Sequence, residues 1–280
     1  MSLLLLLGAC YQLDGFFFNP TVVEAYSLGG DVIPTSCQEL VSFDGTGGSL
    51  YGAWAHSPLA VATECVDAAP DPEAPVIVYF HGNSENIDGY WDQIEFFWQG
   101  GYEVFIFDYR GYGRSWGEPS FDGVIADGRL GIDYVSETTG LASTELIYVG
   151  LSLGGFVSVH NLVDTPPGIL ITQDMFANTQ KILDDGTKLD MPSGWFFEQN
   201  YDNLVPLRAM PAEIPYLVTH GDSDTYIQPE HAQLVFDAAA ATTKKLFLVP
   251  GVDHADTIVD APEVLRPVLD CWIRQDCAEE

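Results

Sequence analysis

Short apolar stretches recur along the chain, separated by longer segments with helical spacing. Each is almost continuously hydrophobic and ends in glycine or polar residues; they lie at 75–82, 102–110, 145–150, 168–175, 215–221 and 245–251. Strands that are apolar at nearly every position are typical of a parallel sheet covered on both faces. Helices are predicted between them, over 90–99, 122–138, 153–163 and 229–241.

The order of these elements predicts one doubly wound α/β domain over residues 39–280. Residues 39–55 alternate around a glycine-rich turn and predict a hairpin that precedes the mostly parallel sheet. Residues 176–213 have no clear period and carry three consecutive aromatic residues, so they are interpreted as a short cap-like insertion over the edge of the sheet. Residues 11–38 are interpreted as an N-terminal extension.

The excess of acidic over basic side chains limits which kinds of partner the protein can bind. The chain has 280 residues, with 41 acidic against 10 basic side chains and a net charge of −31. This argues against a nucleic-acid partner, which needs Lys and Arg for its phosphates. A soluble acidic surface is the simplest interpretation. Adaptation to salt is favoured over it because lysine is scarce and salt would screen the repulsion among carboxylates.

The N-terminus resembles an export signal. The apolar run Leu3–Leu7 is too short to span a bilayer. The Leu-Gly-Ala-Cys that ends at Cys10 resembles the lipobox of bacterial lipoproteins, in which the cysteine sulfur receives a lipid. No Lys or Arg precedes the run, so a clipped signal peptide or a mis-assigned start codon is the alternative. We expect residues 1–10 to be a signal segment, Cys10 to be lipidated, and the chain to be secreted or anchored in the cell envelope.

Cysteine use agrees with an oxidising compartment. Besides Cys10 there are four cysteines, at 37, 65, 271 and 277. Three pairings are open, and local closure favours Cys37–Cys65 and Cys271–Cys277. The chain has no CxxC pair, which leaves little support for a zinc site.

The motif that most clearly indicates a catalytic site is Gly-Leu-Ser-Leu-Gly at 150–154. Ser152 follows a predicted strand and begins a predicted helix, the position where open α/β sheets bind ligands. In a G-x-S-x-G turn, the residues two positions before and two positions after the serine must be very small, because the turn is too sharp for larger side chains. A glycine-rich turn that merely contains a serine is the alternative.

A serine nucleophile needs a base oriented by a carboxylate. In this type of fold the chain order is serine, acid, histidine, which leaves His254 after the last predicted strand as the base. The loop after the strand 215–221 supplies Asp222 and Asp224, of which Asp224 is preferred because it lies further from the strand end. Asp174, after the preceding strand, is a weaker candidate for the acid.

Two backbone amides are predicted to form an oxyanion hole. One belongs to Leu153, the residue after the serine, and the other to Asn83 in the loop after strand 75–82. Gly82 is expected to let this loop turn. His81 is interpreted as structural, because His254 meets the requirements of a base better.

The motifs "VIVYFHGNSENIDGY", "DYRGYGRSWGEPS", "VGLSLGG", "HGDSDTYIQPEHA" and "PGVDHAD" resemble, in order and spacing, the α/β-hydrolase superfamily. They are most similar to its Bem46-type serine hydrolases, which include esterases and acyl-protein thioesterases. The resemblance covers about residues 39–275. It implies a triad of Ser152, Asp224 and His254, an oxyanion hole at Asn83 and Leu153, and no metal or organic cofactor.

The expected activity is hydrolysis of a small-molecule carboxylic ester or thioester through an acyl-enzyme on Ser152. An amidase or aminopeptidase with the same triad is one alternative. A catalytically silent envelope lipoprotein that kept the fold for binding is another. Residues 176–213 are expected to build the substrate pocket, and they carry no motif that names the substrate.

Overall fold

An eight-stranded sheet runs through the computed structural model, which describes residues 17–29, 31–57, 65, 74–187 and 200–276. Across the sheet the order is β10-β9-β8-β7-β4-β6-β3-β2, while β1 and β5 form a separate short parallel pair. In chain order the strands are β1 (Asn19–Pro20), β2 (Gln38–Gly45), β3 (Gly48–Ala55), β4 (Val76–Phe80), β5 (Ser84–Glu85), β6 (Glu103–Asp108), β7 (Ile147–Leu151), β8 (Ile169–Gln173), β9 (Tyr216–Gly221) and β10 (Lys244–Val249).

Helices cover both faces of this sheet. They are α1 (Trp91–Gln99), α2 (Phe121–Thr139), α3 (Leu153–Asn161), α4 (Thr179–Thr187), α5 (Leu204–Ala209), α6 (Glu230–Ala238), α7 (Thr257–Asp260) and α8 (Pro262–Arg274). Three short 3-10 helices add to them, at Thr35–Cys37, Ile87–Tyr90 and Ser143–Glu145. All the strands and helices predicted from the pattern are present, and so is the hairpin β2–β3. The sequence pattern did not predict four of these helices: α4, α5, α7 and α8.

The sheet is parallel from β10 to β6; at its edge β3 pairs antiparallel with β6, and β2 pairs antiparallel with β3. Every residue of β4 is buried. Val78 and Phe80 belong to one hydrophobic core, whereas Ile77 and Tyr79 belong to the other. Burial on both faces is therefore the reason that the central strands are apolar at every position. The fold class predicted from the sequence is confirmed.

Because the central strands are parallel, their carboxyl ends lie along one edge of the sheet. The loops or turns that follow β4, β7, β8, β9 and β10 carry Asn83, Ser152, Asp174, Asp224 and His254 respectively. This is the edge at which doubly wound sheets bind ligands.

The described parts of residues 176–213 are ordered helices that pack on the core. Asn178 and Asp202 form a β-bridge that joins the two arms of the segment. Phe176 and Tyr201 are buried, and the Tyr201 ring stacks on Phe121 with centroids 4.0 Å apart. The three aromatic residues at 195–197 lie outside the described residues.

The N-terminal segment 17–29 lies against the loops that follow β4 and β6. Backbone hydrogen bonds join Thr21 to Glu85 and to Gly113, and the Asp88 carboxylate accepts the amides of Ser27 and Leu28. Cys10 and the predicted signal segment lie outside the described residues. No helix within the described ranges is both long enough and apolar enough to cross a membrane.

The predicted disulfide between Cys37 and Cys65 is present and closes a sequence separation of 28 residues. Cys271 is also disulfide-bonded. Its predicted partner, Cys277, lies outside the described residues, so that pairing stays a prediction.

Candidate active site

A sharp turn joins β7 to α3 and holds Ser152. The backbone of Ser152 has φ 52°, a left-handed conformation that L side chains rarely adopt. A Cβ on Gly150 would lie 2.4 Å from the Gly154 oxygen, and a Cβ on Gly154 would lie 1.8 Å from the Phe80 oxygen. Both glycines of the motif are therefore required by close backbone contacts, as the spacing predicts.

Ser152, His254 and Asp224 form one line of hydrogen bonds. The Ser152 Oγ lies 3.1 Å from His254 Nε2, and His254 Nδ1 lies 2.7 Å from Asp224 Oδ2. Because the carboxylate can only accept, Nδ1 carries the proton and Nε2 presents its lone pair to the hydroxyl. The structure thus brings together the three residues predicted from widely separated segments. This arrangement can transfer the hydroxyl proton to the imidazole.

Both oxygens of the Asp224 carboxylate accept hydrogen bonds. Its Oδ1 accepts the amides of Tyr226 and Ile227, both at 2.8 Å, and its Oδ2 is also 3.1 Å from His220 Nε2. Burial raises the pKa of Asp224, but the hydrogen bonds from His220 and His254 lower it more, so that its pKa lies well below the ordinary value. Asp224 is therefore ionised wherever the histidine beside it can act as a base.

The other two candidate acids do not contact the imidazole of His254. Asp174 uses its oxygens to accept the amides of Gly221 and Ala255, at 2.9 and 3.1 Å. Asp222 accepts the amide of Gly251 at 2.6 Å. Geometry therefore favours Asp224 as the residue that orients the base.

The two amides predicted for the oxyanion hole are free within the described chain, since neither Asn83 N nor Leu153 N has an acceptor there. Leu153 is the first residue of α3, where backbone donors have no intrahelical partner. The Asn83 side chain is held on both sides: its Nδ2 donates to the Phe17 carbonyl at 2.6 Å and its Oδ1 accepts from the Tyr112 hydroxyl at 2.8 Å. The loop that carries this amide is thus fixed in place.

Gly82 has a different role from the one expected. It is not among the residues with positive φ, so the turn does not need its conformational freedom. A Cβ there would lie 2.6 Å from the Tyr90 hydroxyl oxygen. The glycine therefore makes room for the Tyr90 ring beside the site.

His81 is completely buried behind this loop. Its Nδ1 donates to the Gly82 carbonyl at 2.8 Å, and its ring lies 4.3 Å from the Tyr109 ring. Burial lowers its pKa to about 4, so it stays neutral at ordinary pH. These contacts agree with a structural role.

A cavity of about 510 Å³ opens beside Ser152 and His254. Phe17, Phe18 and Asn19 of the N-terminal segment form one side of it, and Tyr226 lies at its edge. The described residues of 176–213 do not line this cavity. Residues 188–199 lie outside the described residues, so the expectation that this insertion builds the pocket stays a prediction. Sequence reasoning missed the N-terminal segment, whose only signal was the aromatic run at 16–18.

Among the described residues, Asp174, His220 and Asp224 come close enough to be considered as a metal site, with ligand atoms within 4.8 Å of one another. Most of their polar atoms are engaged. Both carboxylates accept backbone amides, and His220 Nε2 donates to the Ile227 carbonyl at 2.7 Å as well as to Asp224. Among the described residues the buried His220 Nδ1 has no hydrogen-bond partner.

The chain is similar in sequence to a known hydrolase family and to several curated proteins. The model of the family described as serine aminopeptidase, S33, matches residues 71–193. The uncharacterized protein YfhR of Escherichia coli K12 is 29% identical over 199 residues, which cover 68% of this chain and 66% of the relative. The protein bem46 of Schizosaccharomyces pombe is 27% identical over 195 residues, which cover 66% of this chain and 64% of the relative. The chain therefore spans just under two thirds of the length of these two relatives.

Solved structures agree on the fold. Esterase Pf2001 of Pyrococcus furiosus superimposes with a TM-score of 0.70 at 19% identity, covering 92% of this chain and 98% of the esterase. At that identity the likeness concerns the fold alone. Taken with the motifs around Ser152, the match to bem46 and the topology of the sheet, it confirms the resemblance inferred from the sequence: the chain has the α/β-hydrolase fold and is similar to Bem46-type hydrolases.

Proposed function

We propose that the protein is a serine hydrolase that cleaves carboxylic esters or thioesters through an acyl-enzyme on Ser152. The observation that carries the proposal is the continuous line of hydrogen bonds from Asp224 through His254 to the Ser152 hydroxyl. A serine that merely occupied a glycine-rich turn would not need a histidine 102 residues away in hydrogen-bonding contact.

In this mechanism His254 Nε2 takes the proton of Ser152 as the hydroxyl oxygen attacks the ester carbonyl carbon. Asp224 keeps the imidazole in the required tautomer and stabilises the imidazolium that forms. The amides of Asn83 and Leu153 donate to the oxyanion. The imidazolium then returns its proton to the leaving alcohol or thiol. A water molecule, deprotonated by the same histidine, releases the acid and restores Ser152.

An amidase or aminopeptidase with the same three residues is the second candidate. The description of the matching family as a serine aminopeptidase favours it. The two candidates differ in the leaving group, because an amine must be protonated as it departs whereas an alkoxide leaves more easily. Paired p-nitrophenyl ester and p-nitroanilide substrates with the same acyl group distinguish them. A higher kcat/KM for the anilide would replace the ester proposal.

The proposal is tested with a fluorophosphonate probe and two serine variants. The wild-type protein is expected to be labelled at Ser152 and to hydrolyse p-nitrophenyl esters, whereas Ser152→Ala should lose both. Ser158→Ala is the matched control, because Ser158 lies buried on the same helix and bonds only to the Gly155 carbonyl. Labelling that persists in pure Ser152→Ala, or is lost in a folded Ser158→Ala, would refute the assignment.

Location is a separate proposal, of an exported protein anchored through a lipid on Cys10. The Leu-Gly-Ala-Cys sequence and the disulfide between Cys37 and Cys65 support it. Metabolic labelling with a radioactive fatty acid should mark the wild-type chain and not Cys10→Ala. Equal labelling of the two, or none of either, would contradict lipidation.

A further inference from the structure

Asp174 lies directly after β8 at the edge of the sheet that carries the candidate site. The residue is completely buried, and its backbone has φ 49°. Both features cost free energy: a carboxylate out of water must be compensated by donors, and a left-handed backbone strains any residue except glycine. Asparagine or glycine would satisfy that backbone at lower cost.

The donors that compensate Asp174 come from the two loops that hold the proposed acid and base. Its Oδ1 accepts the amide of Gly221, the last residue of β9, three residues before Asp224. Its Oδ2 accepts the amide of Ala255, the residue that follows His254. The Asp174 carboxylate thus links the loop that carries Asp224 to the turn that carries His254.

The backbone conformation of Ala255 shows why the turn that carries His254 needs the bond to Asp174. Its backbone has φ 65°, a strained conformation for alanine. Its amide is held by Asp174, and its carbonyl accepts from Gln93 Nε2 of α1 at 3.3 Å. Without the carboxylate, the peptide after His254 would lose one of these two restraints and could relax its φ.

We propose that Asp174 is a positioning residue, which fixes the His254 imidazole against Ser152 by holding the Ala255 amide while it holds the Gly221 amide. The proposal rests on the proposed function, since it concerns the same triad. Asp174 does not touch the imidazole or the substrate pocket, so it acts only through His254 and Asp224. A displacement of about 1 Å at a reacting group can lower a rate about 100-fold.

The test replaces Asp174 by asparagine, which has nearly the same shape but only one acceptor oxygen. One of the two amides then faces an NH₂ group, and its hydrogen bond is lost. We expect Asp174→Asn to lower kcat for a p-nitrophenyl ester about 10- to 100-fold, with KM unchanged. Asp127→Asn is the matched control: Asp127 is another fully buried aspartate, but it binds Arg110 away from the site, and this variant should keep the wild-type kcat.

A double-mutant comparison separates positioning from general damage. In a His254→Ala background, Asp174→Asn should cause no further loss of the residual rate, because the group that it positions is absent. Equal losses in both backgrounds would mean that Asp174 only supports the fold. If Asp174→Asn does not fold, Asp174→Ser, which keeps one acceptor, is measured in the same two backgrounds.

The proposed function and the positioning role can fail separately. A wild-type protein that is neither labelled by a fluorophosphonate nor active on esters would refute the function. The low-field proton resonance of the His254–Asp224 hydrogen bond then decides the positioning role by itself. Loss or broadening of that resonance in Asp174→Asn, but not in Asp127→Asn, supports positioning. An active wild type with an unchanged kcat and an unchanged resonance in Asp174→Asn would overturn it.

Discussion

The adjacent glycines at 154 and 155 allow the geometry of the serine turn to be tested directly. A Cβ on Gly154 would lie 1.8 Å from the carbonyl oxygen and 2.3 Å from the carbonyl carbon of Phe80, which is backbone at the end of β4. The atoms nearest to a Cβ on Gly155 would be Cγ, Sδ and Cβ of Met175, at 2.8 to 2.9 Å. Gly154→Ala and Gly155→Ala thus add the same methyl group one residue apart, with a severe overlap against backbone in the first and a smaller overlap against a side chain in the second.

The magnitude follows from the distances. In Gly154→Ala the new contact must lengthen from 1.8 Å to at least 3.0 Å, so the start of α3 has to move by about 1.2 Å. This shift carries with it the Ser152 hydroxyl and the Leu153 amide. A misplacement of that size lowers kcat about 100-fold, equivalent to about 2.7 kcal/mol in the activation free energy. Overpacking also lowers the free energy of unfolding by about 1–3 kcal/mol.

Gly155→Ala should behave differently. Alanine is favoured over glycine within a helix by about 1 kcal/mol, which offsets part of the cost of moving Met175. Its kcat should therefore stay within about threefold of wild type, a change of about 0.6 kcal/mol. Steady-state hydrolysis of a p-nitrophenyl ester and urea unfolding measure both quantities. Equal kcat values for the two variants would refute the view that backbone contact at Gly154 sets the position of the serine.

Further predictions concern the acid, the disulfide, salt and pH. Asp224→Asn should lower kcat by about 10⁴-fold because the imidazole loses its required tautomer, and a smaller loss than that of Asp174→Asn would move the acid to the earlier loop. Combined Cys37→Ala and Cys65→Ala should lower the free energy of unfolding in urea by about 3.6 kcal/mol, because the loop that the disulfide closes, with a sequence separation of 28, is released in the unfolded chain. Tm should rise between low and seawater-like NaCl while KM for a neutral ester stays constant, because salt screens the repulsion of a −31 net charge; a flat Tm would exclude salt adaptation. Burial lowers the pKa of His81, His160 and His231 to about 4, whereas it raises the pKa of Asp108 to about 8 and also raises the pKa of Asp174. The three histidines outnumber the two carboxyls, so between about pH 4 and pH 6.5 the unfolded chain binds more protons. The free energy of unfolding should then fall from about pH 6.5 to about pH 4, and one that rises over that range on urea titration would contradict these shifts.

Much of the fold followed from local pattern. The central strands are buried on both faces, so each reads as a continuous apolar run that periodicity detects without tertiary information. The C-terminal helix α8 was not predicted, although its buried residues Leu265, Leu269 and Ile273 have helical spacing. Pro267 lies inside it, and proline ordinarily ends a helix.

The proposed nucleophile and its partners could be predicted from the sequence for a related reason. The Ser152 turn is set by backbone contacts within the five residues of G-x-S-x-G, and Asp224 and His254 follow the strands that end at the same edge of the sheet. The sequence pattern presents Asp174 only as a candidate acid for the imidazole. Its contacts with Gly221 and Ala255 are bonds to backbone amides, and no residue type in the sequence marks an amide as a partner.

The sequence did not predict that the N-terminal segment lines the cavity, because this segment too is held by hydrogen bonds to backbone groups. Thr21 pairs through its backbone with Glu85 and Gly113, and the Phe17 carbonyl accepts from the Asn83 side chain, 66 residues away. Such bonds can form with almost any side chain at 17–21, so the pattern of residue types does not reveal them. The same bonds fix Asn83, whose amide is the proposed oxyanion donor. The N-terminal segment therefore shapes the cavity and holds one half of the proposed oxyanion hole, and changes of side chain at Phe17 or Phe18 should alter the choice of acyl group without altering the backbone bonds that hold the Asn83 loop.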